Sequence, residues 1–343
     1  MQMKKCRDLV AASLAATVFV AGLLSGGTSA AASNKRVSTA GIPAGTVLRV
    51  GEQLKNLSTL LSIAGENQNL PYTVEYSEFV GGPPMLQAFE GGSLDVGYTF
   101  STPLIFAQAA NQPITAVAGW ATAGSGYALV SAPGNTSLRK WADLKGKRVA
   151  YQVGTASQTV LLEGLASAGL SLSDVTTVNL PTTQIAAALQ GGSADAGITV
   201  EPLLSVYLAA NPTAHVITYG TQVVDRSGFL IATSGALANS AKSAAIADYI
   251  GRLVKAYKYL NAHSQKVIDS VYVGQYGLSP ARAAAVAKLY GLTTFLKLPG
   301  SVLATQQLAA NLYLKAGQIP SKVNVTKEFD SRFNGLVAAE QGS

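Results

Sequence analysis

Two stretches decide how this chain is read: GGSLDVGYT, from Gly91 to Thr99, and GGSADAGIT, from Gly191 to Thr199. Both spell Gly-Gly-Ser-x-Asp-x-Gly-x-Thr. Each follows a run with apolar residues at helical spacing, MLQAFE (85–90) before the first and IAAALQ (185–190) before the second. Paired glycines end a helix, because a left-handed residue closes its last turn. The apolar residues after each Asp predict a buried strand. A proline then follows at Pro103 and Pro202, where a first helical turn tolerates it. Each copy therefore reads helix, glycine stop, strand, helix, and duplication of an α/β unit explains the match better than chance. Asp95 and Asp195 are read as structural residues that satisfy turn amides, since no acid–base partner follows either one.

Outward from the repeat the same alternation continues. TVLRVGEQ (46–53) and PYTVEYSEF (71–79) predict strands, and GGPPMLQAFE predicts a helix opening at Gly82 with Met85, Leu86 and Phe89 on one face. PITAVAGW (113–120) and GYALVSA (126–132) predict further strands. RVAYQ (148–152), TTVNLP (176–181) and the helices between them complete a second series. Strands alternating with short helices imply mostly parallel sheets. From Ala236 onward the pattern is almost entirely helical. Tyr257, Tyr259 and Tyr290 are read there as core or surface packing.

MQMKKCRD, a chargeless apolar run and SGGTSAAAS open the chain with the layout of a secretory signal peptide, with cleavage expected near Ala30 to Ala32. Residues 1–32 are set aside on that basis. The one cysteine, Cys6, lies in this leader, and none follows the apolar run, so an exported protein without a lipid anchor is expected. The remaining chain must hold its fold in an oxidising compartment without disulfides. Removing three cations and one anion with the leader lowers the net charge from +7 to +5. No basic run concentrates it, so no nucleic-acid partner is expected. His215 and His263 have no metal-ligand spacing, and no nucleophile elbow, phosphate loop or reactive thiol occurs. No catalytic residue, metal or cofactor is expected, and the protein is not read as an enzyme.

Three stretches combine to resemble a known family: EFVGGPPMLQAFEGGSLDVGYT with PLIFAQAAN, ADLKGKRVAYQVGTASQTVLLEGLASAGL, and LQGGSADAGITVEP. The chain from Leu48 to about Val325 resembles the periplasmic substrate-binding proteins of ABC importers for aliphatic sulfonates, taurine and nitrate. The resemblance implies an α/β, two-lobed periplasmic binding protein fold of type II. Two crossover strands would form the hinge, and the C-terminal part would be helical. The lobes would be 33–130 with 228–343, and 131–227. It implies a monomeric periplasmic receptor that takes a small organic anion, foremost an aliphatic sulfonate or taurine, to a cognate ABC permease. Two alternatives remain: a cleft enzyme related to pyrimidine-synthesis proteins, or a receptor for nitrate or an aromatic carboxylate.

A sulfonate keeps its charge and offers only acceptors, so its site needs donors, which helix starts supply. Gly82-Pro83, Ser101-Thr102 and Thr155-Ala156-Ser157 are such starts, although each also suits an ordinary N-cap. Matched to the family's motifs, the ligand-binding candidates are Gln53, Gly82, Pro83, Ser101, Thr102, Thr155, Ala156, Ser157, Glu201 and Ser227. Glu201 either receives an ammonium group or caps the helix that follows. Val200 stands where the family commonly has tryptophan, which leaves the organic part of the ligand open. Arg226 is read as a surface residue or an added charge.

Overall fold

In this computed structural model residues 41–220 and 226–342 are described, and the leader expected at 1–32 lies outside them. The strands form two sheets. In the first, β1 (Val47–Gln53), β2 (Thr73–Phe79) and β3 (Val96–Phe100) are joined by β4 (Ile114–Thr122), β10 (Ser227–Thr233) and β11 (Thr293–Leu296), in the order β11-β4-β10-β3-β1-β2. The second contains β5 (Tyr127–Ser131), β6 (Arg148–Tyr151), β7 (Thr176–Asn179), β8 (Ala196–Val200) and β9 (Val216–Tyr219), in the order β7-β6-β8-β5-β9. The chain leaves the first sheet between β4 and β5 and returns between β9 and β10.

The sheets are mixed, not mostly parallel as the alternation suggested. β1 runs parallel to β2 and β3, and β6 runs parallel to β7 and β8. β5 and β10 are antiparallel to their neighbours. A parallel pair needs a crossover helix, whereas a strand arriving from the other sheet carries no such constraint. β11 is the strand that the almost entirely helical reading of the C-terminal part passed over: Thr293–Leu296 adds an antiparallel edge to β4.

Helices cover both faces of each sheet. α1 (Asn56–Ala64) and α8 (Ser240–Ala262) bury Leu57, Leu61, Ile246, Tyr249 and Leu253 against Leu48, Val50 and Leu230. α2 (Gly82–Glu90) and α3 (Ser101–Ala109) bury Met85, Phe89 and Leu104 with Phe229 and Ile231 on the opposite face. On the second sheet, α4 (Ala156–Ser167) packs Val160, Leu161 and Leu165 on Val149 and Ile198. α5 (Ile185–Gln190) and α6 (Leu203–Ala210) pack Ile185, Leu189 and Leu204 on Ala128, Val130 and Ala150. Each fully buried side chain of this kind contributes roughly 1.5–3 kcal/mol, which accounts for a fold held without disulfides.

The repeated stretch folds the same way twice. In each copy the helix ends at Gly91 or Gly191, and the following Gly92 (φ 70-degree region, 69°) or Gly192 (70°) turns the chain with a left-handed backbone. The aspartate then reaches sideways. Asp95 accepts from the Arg49 amide at 3.0 Å and from its Nη2 at 2.8 Å, while Asp195 accepts from the Arg148 amide at 2.8 Å and from its Nη2 at 2.7 Å. The aspartates therefore satisfy the neighbouring parallel strand and its arginine, which refines the turn-amide reading. Gly97 and Gly197 hold the same register in β3 and β8, opposite Gly51 and Ala150. A methyl group on either would come within 2.7 Å of a helix side chain, Met85 Sδ in one sheet and Ile185 Cγ2 in the other.

After β10, α7 (Ser234–Ala238) leads into α8, whose N-cap Asn239 accepts from the Lys242 amide at 3.0 Å. Next come α9 (Ser264–Val267), a π-helical segment at Ile268–Gln275, and α10 (Pro280–Tyr290), which opens with Ser279 and Pro280 as a capped start. α11 (Val302–Lys315) and α12 (Asn334–Gly342) complete the chain. Tyr313 on α11 reaches Thr159 of α4 at 2.7 Å, and Thr159 reaches Thr102 of α3 at 2.9 Å, so a buried hydroxyl chain links helices of both sheets. No helix among the described residues is long and apolar enough to cross a membrane.

Candidate binding site

A cavity of about 350 Å³ opens where the carboxyl ends of the parallel strands of both sheets meet. Gln53 ends β1, Val80 to Gly82 follow β2, Gln152 follows β6, Thr182 and Thr183 follow β7, and Val200 and Glu201 end and follow β8. This is where open α/β sheets hold ligands, because strand ends and helix starts converge there. Three helix starts contribute to the wall: Lys55-Asn56 of α1, Gly81-Gly82 of α2 and Thr155-Ala156 of α4. Their first-turn amides and dipoles favour an anion.

Gln152 organises this polar end, and the sequence reading missed it. Its Nε2 donates to Val80 O at 3.1 Å, across from the second sheet to the first. Its Oε1 accepts from the Thr182 amide at 3.0 Å and from the Thr182 hydroxyl at 2.8 Å. Gly81 makes room: its φ is 91°, and a Cβ there would lie 2.6 Å from Gln152 Nε2. The signal for Gln152 was its place directly after the strand RVAY, two positions before the GTAS turn.

Of the sequence candidates, Gln53, Gly82, Thr155, Ala156 and Glu201 line the cavity. Gln53 Nε2 donates to Tyr98 O at 3.1 Å, which fixes the side chain across the strand ends. Thr155 donates from Oγ1 to Gln152 O at 2.8 Å. The structure places Pro83, Ser101, Thr102, Ser157 and Ser227 outside the lining. Pro83 packs against Gly154, where a Cβ would meet its Cγ at 2.9 Å. Ser101 is buried and its carbonyl accepts from Gln306 at 2.9 Å. Thr102 belongs to the hydroxyl chain above. Ser157 is fully buried, and its hydroxyl accepts from the Gln152 amide at 3.1 Å, closing the strand-to-helix turn from within. Ser227 is buried in β10, in register with Ala121.

Glu201 is occupied by its own helix. Oε2 accepts from the Ser205 amide at 3.1 Å and hydroxyl at 2.5 Å, and Oε1 lies 3.5 Å from Arg282 Nη2. Of the two readings open in the sequence, this geometry is that of the cap. Glu52 makes the same arrangement at the end of β1, accepting from the Ser58 amide at 2.9 Å and hydroxyl at 2.7 Å. Lys55 and Arg226 are the cations of the lining. Arg226 also donates to Ala123 O, tying the return crossing to the outward one.

The other end of the cavity is aromatic. Tyr98 stacks on Trp120 at 5.5 Å between centroids, and Trp120 leans on Tyr257 at 5.4 Å. Tyr127, Tyr272 and Tyr290 continue this wall. Tyr257 and Tyr290, read from sequence as packing residues, thus face the cavity, brought there by α8 and α10. The strand order separates the two ends. Polar residues follow β1, β2, β6 and β7, whereas the aromatics sit on β3, β4 and β5 and on the C-terminal helices. Burial raises the hydroxyls of Tyr98, Tyr257 and Tyr290, and pushes Tyr272 up to about 12, so all four stay neutral.

No group of acidic, histidine or cysteine residues able to hold a metal ion occurs among the described residues. His215 lies away from the cavity, between Ser131 Oγ at 3.0 Å and Leu138 O at 2.8 Å. His263 is bonded to Tyr259 O at 2.8 Å.

Comparison with known proteins fits this geometry. The family described as NMT1/THI5 like matches residues 74–266. A protein of Escherichia coli (strain K12) named for binding aliphatic sulfonates is 28% identical over 281 residues, 81% of this chain and 86% of that protein. The alkanesulfonate-binding protein SsuA of Xanthomonas axonopodis pv. citri, solved bound to MOPS, superposes with a TM-score of 0.75 at 27% identity, covering 84% of this chain and 99% of that one. The periplasmic aliphatic sulphonate binding protein SsuA of Escherichia coli gives 0.70 at 27% identity, over 84% and 92%. The relatives are thus binding proteins, and the two-lobed α/β fold expected from the sequence is theirs.

Proposed function

The chain belongs to the NMT1/THI5-like family, and from that premise we propose that it is a periplasmic solute receptor that captures a small organic anion between its two sheets. The ligand class is a sulfonate, the resemblance putting an aliphatic sulfonate or taurine first, and an ABC permease receives it. The lobes follow the sequence division, 33–130 with 228–343, and 131–227. The leader at 1–32 exports the chain, and the mature protein acts as a monomer.

One observation carries this reading: Gln53, Gln152, Thr155 and Thr182 converge with three helix starts at one end of the cavity, beside Lys55. The Thr155 and Thr182 hydroxyls donate to Gln152 and hold it in place, so the donors that end offers are helix-start amides and the second amide hydrogens of Gln53 and Gln152, with positive dipoles behind them, the requirement of a permanently charged acceptor. Glu201 adds no free negative charge, because Ser205 and Arg282 engage it. Gln53, Gly82, Gln152, Thr155 and Ala156 are the proposed ligand contacts. Pro83, Ser101, Thr102, Ser157, Glu201 and Ser227 support them from behind. The cavity lining contains no histidine or cysteine, which favours a receptor over the cleft-enzyme alternative. Gln152 bonded to Val80 supports a closing motion, since a ligand touching both sheets stabilises the closed arrangement.

Calorimetric titration of the purified protein with ethanesulfonate, taurine and nitrate tests the reading. Saturable one-site binding of a sulfonate is expected. Gln152→Ala should weaken it by about ten- to a hundredfold, the range for a lost hydrogen bond at a charged group. Ser157→Ala should lower the melting temperature and leave affinity intact. Absence of binding by every sulfonate would refute the proposal.

A further inference from the structure

We infer that the ligand's organic part is a flat aromatic group, so that the receptor's preferred solutes are arylsulfonates. This rests on the receptor reading above and specifies the body that accompanies the anionic head.

The cavity is larger than a head group requires. Pockets of roughly 300–1,000 Å³ hold drug-sized molecules, and this one is about 350 Å³. A two-carbon sulfonate seated at Gln53, Gln152 and Thr155 leaves the far end to water. That end is walled by Tyr98, Trp120, Tyr127, Tyr257, Tyr272 and Tyr290. Water against so much aromatic surface is unfavourable, and an apolar body would displace it. The wall also has the geometry that rings prefer. Tyr98 and Trp120 stack with an interplanar angle of 11° as the floor of that end, and the half-buried Tyr127, Tyr272 and Tyr290 are the rings to which a further ring adds in offset or edge contact.

The hydroxyls point the same way. Among the described residues, those of Tyr98, Tyr127 and Tyr272 have no protein hydrogen-bond partner, whereas Tyr290 donates to Glu201 O at 2.8 Å. None of the three oxygens is sealed from the cavity, and Tyr127 and Tyr272 are half-buried. These three are left to meet the cavity's contents. Finally, the position where the resembled family commonly carries tryptophan holds Val200, paired with Tyr127 in the adjacent strand. A small residue there leaves space for a ring, and aromatic surface comes from Tyr127 beside it and from α8, the π-helical segment and α10.

The test is a titration panel of ethanesulfonate, 1-hexanesulfonate and benzenesulfonate on the purified protein. Benzenesulfonate is expected to bind at least about tenfold tighter than both others. Hexanesulfonate matches its carbon number, so that comparison separates ring from mere apolar bulk. Trp120 fluorescence should respond to benzenesulfonate, with Trp141, in the core of the second sheet, as a constant background. Tyr272→Leu, a half-buried position, should reduce benzenesulfonate affinity about tenfold and leave ethanesulfonate within twofold. Equal or tighter binding of the alkyl sulfonates would overturn the inference and leave the receptor reading standing. A panel in which no sulfonate binds would overturn both.

Discussion

In the first sheet Asp95 receives Arg49 and, in addition, Lys242 Nζ at 2.6 Å, and its side chain is only 3% exposed. In the second sheet Asp195 receives Arg148 through the same atoms, has no counterpart of Lys242 among the described residues, and is 26% exposed. The local sequence and geometry are matched, so the difference comes from what packs over the joint. The long helix α8 crosses the first copy and brings a second cation. Burial acts to raise the Asp95 carboxyl, but the bonds from Arg49 and Lys242 outweigh it and hold it below the usual range. Asp195 is held low chiefly by the Arg148 hydrogen bond, with burial opposing. The same motif is thus an internal strut in one sheet and a solvent-screened clasp in the other.

A third carboxyl extends the contrast. Glu328, beside β4 of the first sheet, is as buried as Asp95 but among the described residues meets no cation: Gln306 Nε2 donates to it at 2.5 Å and its Oε1 has no partner there. Burial pushes it up to about 8. The native state therefore keeps a proton that the unfolded chain releases near the ordinary glutamate value of 4.5. Stability from this group is full below that value and is lost as pH rises to about 8, by up to about 1.4 kcal/mol per unit. This is the largest effect expected. Urea denaturation of wild type between pH 5 and about 8 should show that loss, and Glu328→Gln should flatten it. An equal slope in both would remove Glu328 from the comparison.

Next comes Asp95→Ala, expected to cost about 3 kcal/mol, because it strips acceptors from the Arg49 amide and two cations in a buried joint. Gly97→Ala and Gly197→Ala should each cost about 2 kcal/mol, since the added methyl meets a packed helix in both sheets. Near-equal values would sharpen the view that the joints themselves are equivalent. A much cheaper change in one sheet would show that its helix yields. The smallest effect is Asp195→Ala, about 1 kcal/mol, as for other screened pairs. If it matched Asp95→Ala under the same denaturation conditions, the role given to α8 and Lys242 would be wrong.

Much of this was legible along the chain. The glycine stops, the buried strands and the proline helix starts each depend on residues close in sequence, so Gly91, Gly92, Gly191 and Gly192 were readable as turns. The arginine partners were also within reach. LRVG (48–51) and KRVA (147–150) precede the two repeats at nearly the same interval, and Arg-Val before Gly-Gly-Ser-x-Asp extends the match. Among the site candidates, Gln53, Gly82, Thr155 and Ala156 could be placed at the cavity wall from the sequence because strand ends and helix starts are local features.

The sequence by itself determined the alternating units, their duplication, the leader-like opening and the family resemblance. All of these follow from residue order and short-range backbone preference. Only the tertiary structure decided which hydroxyls face the cavity. Ser157 and Thr155 sit two residues apart in one turn, yet helix geometry turns one inward and one toward the cavity. Only the tertiary structure, likewise, brought Trp120, Tyr257, Tyr272 and Tyr290 together and sent Gln152 across to Val80. Those contacts join segments far apart in the chain, and their partners are set by how the sheets and C-terminal helices pack, which no periodicity within one segment records.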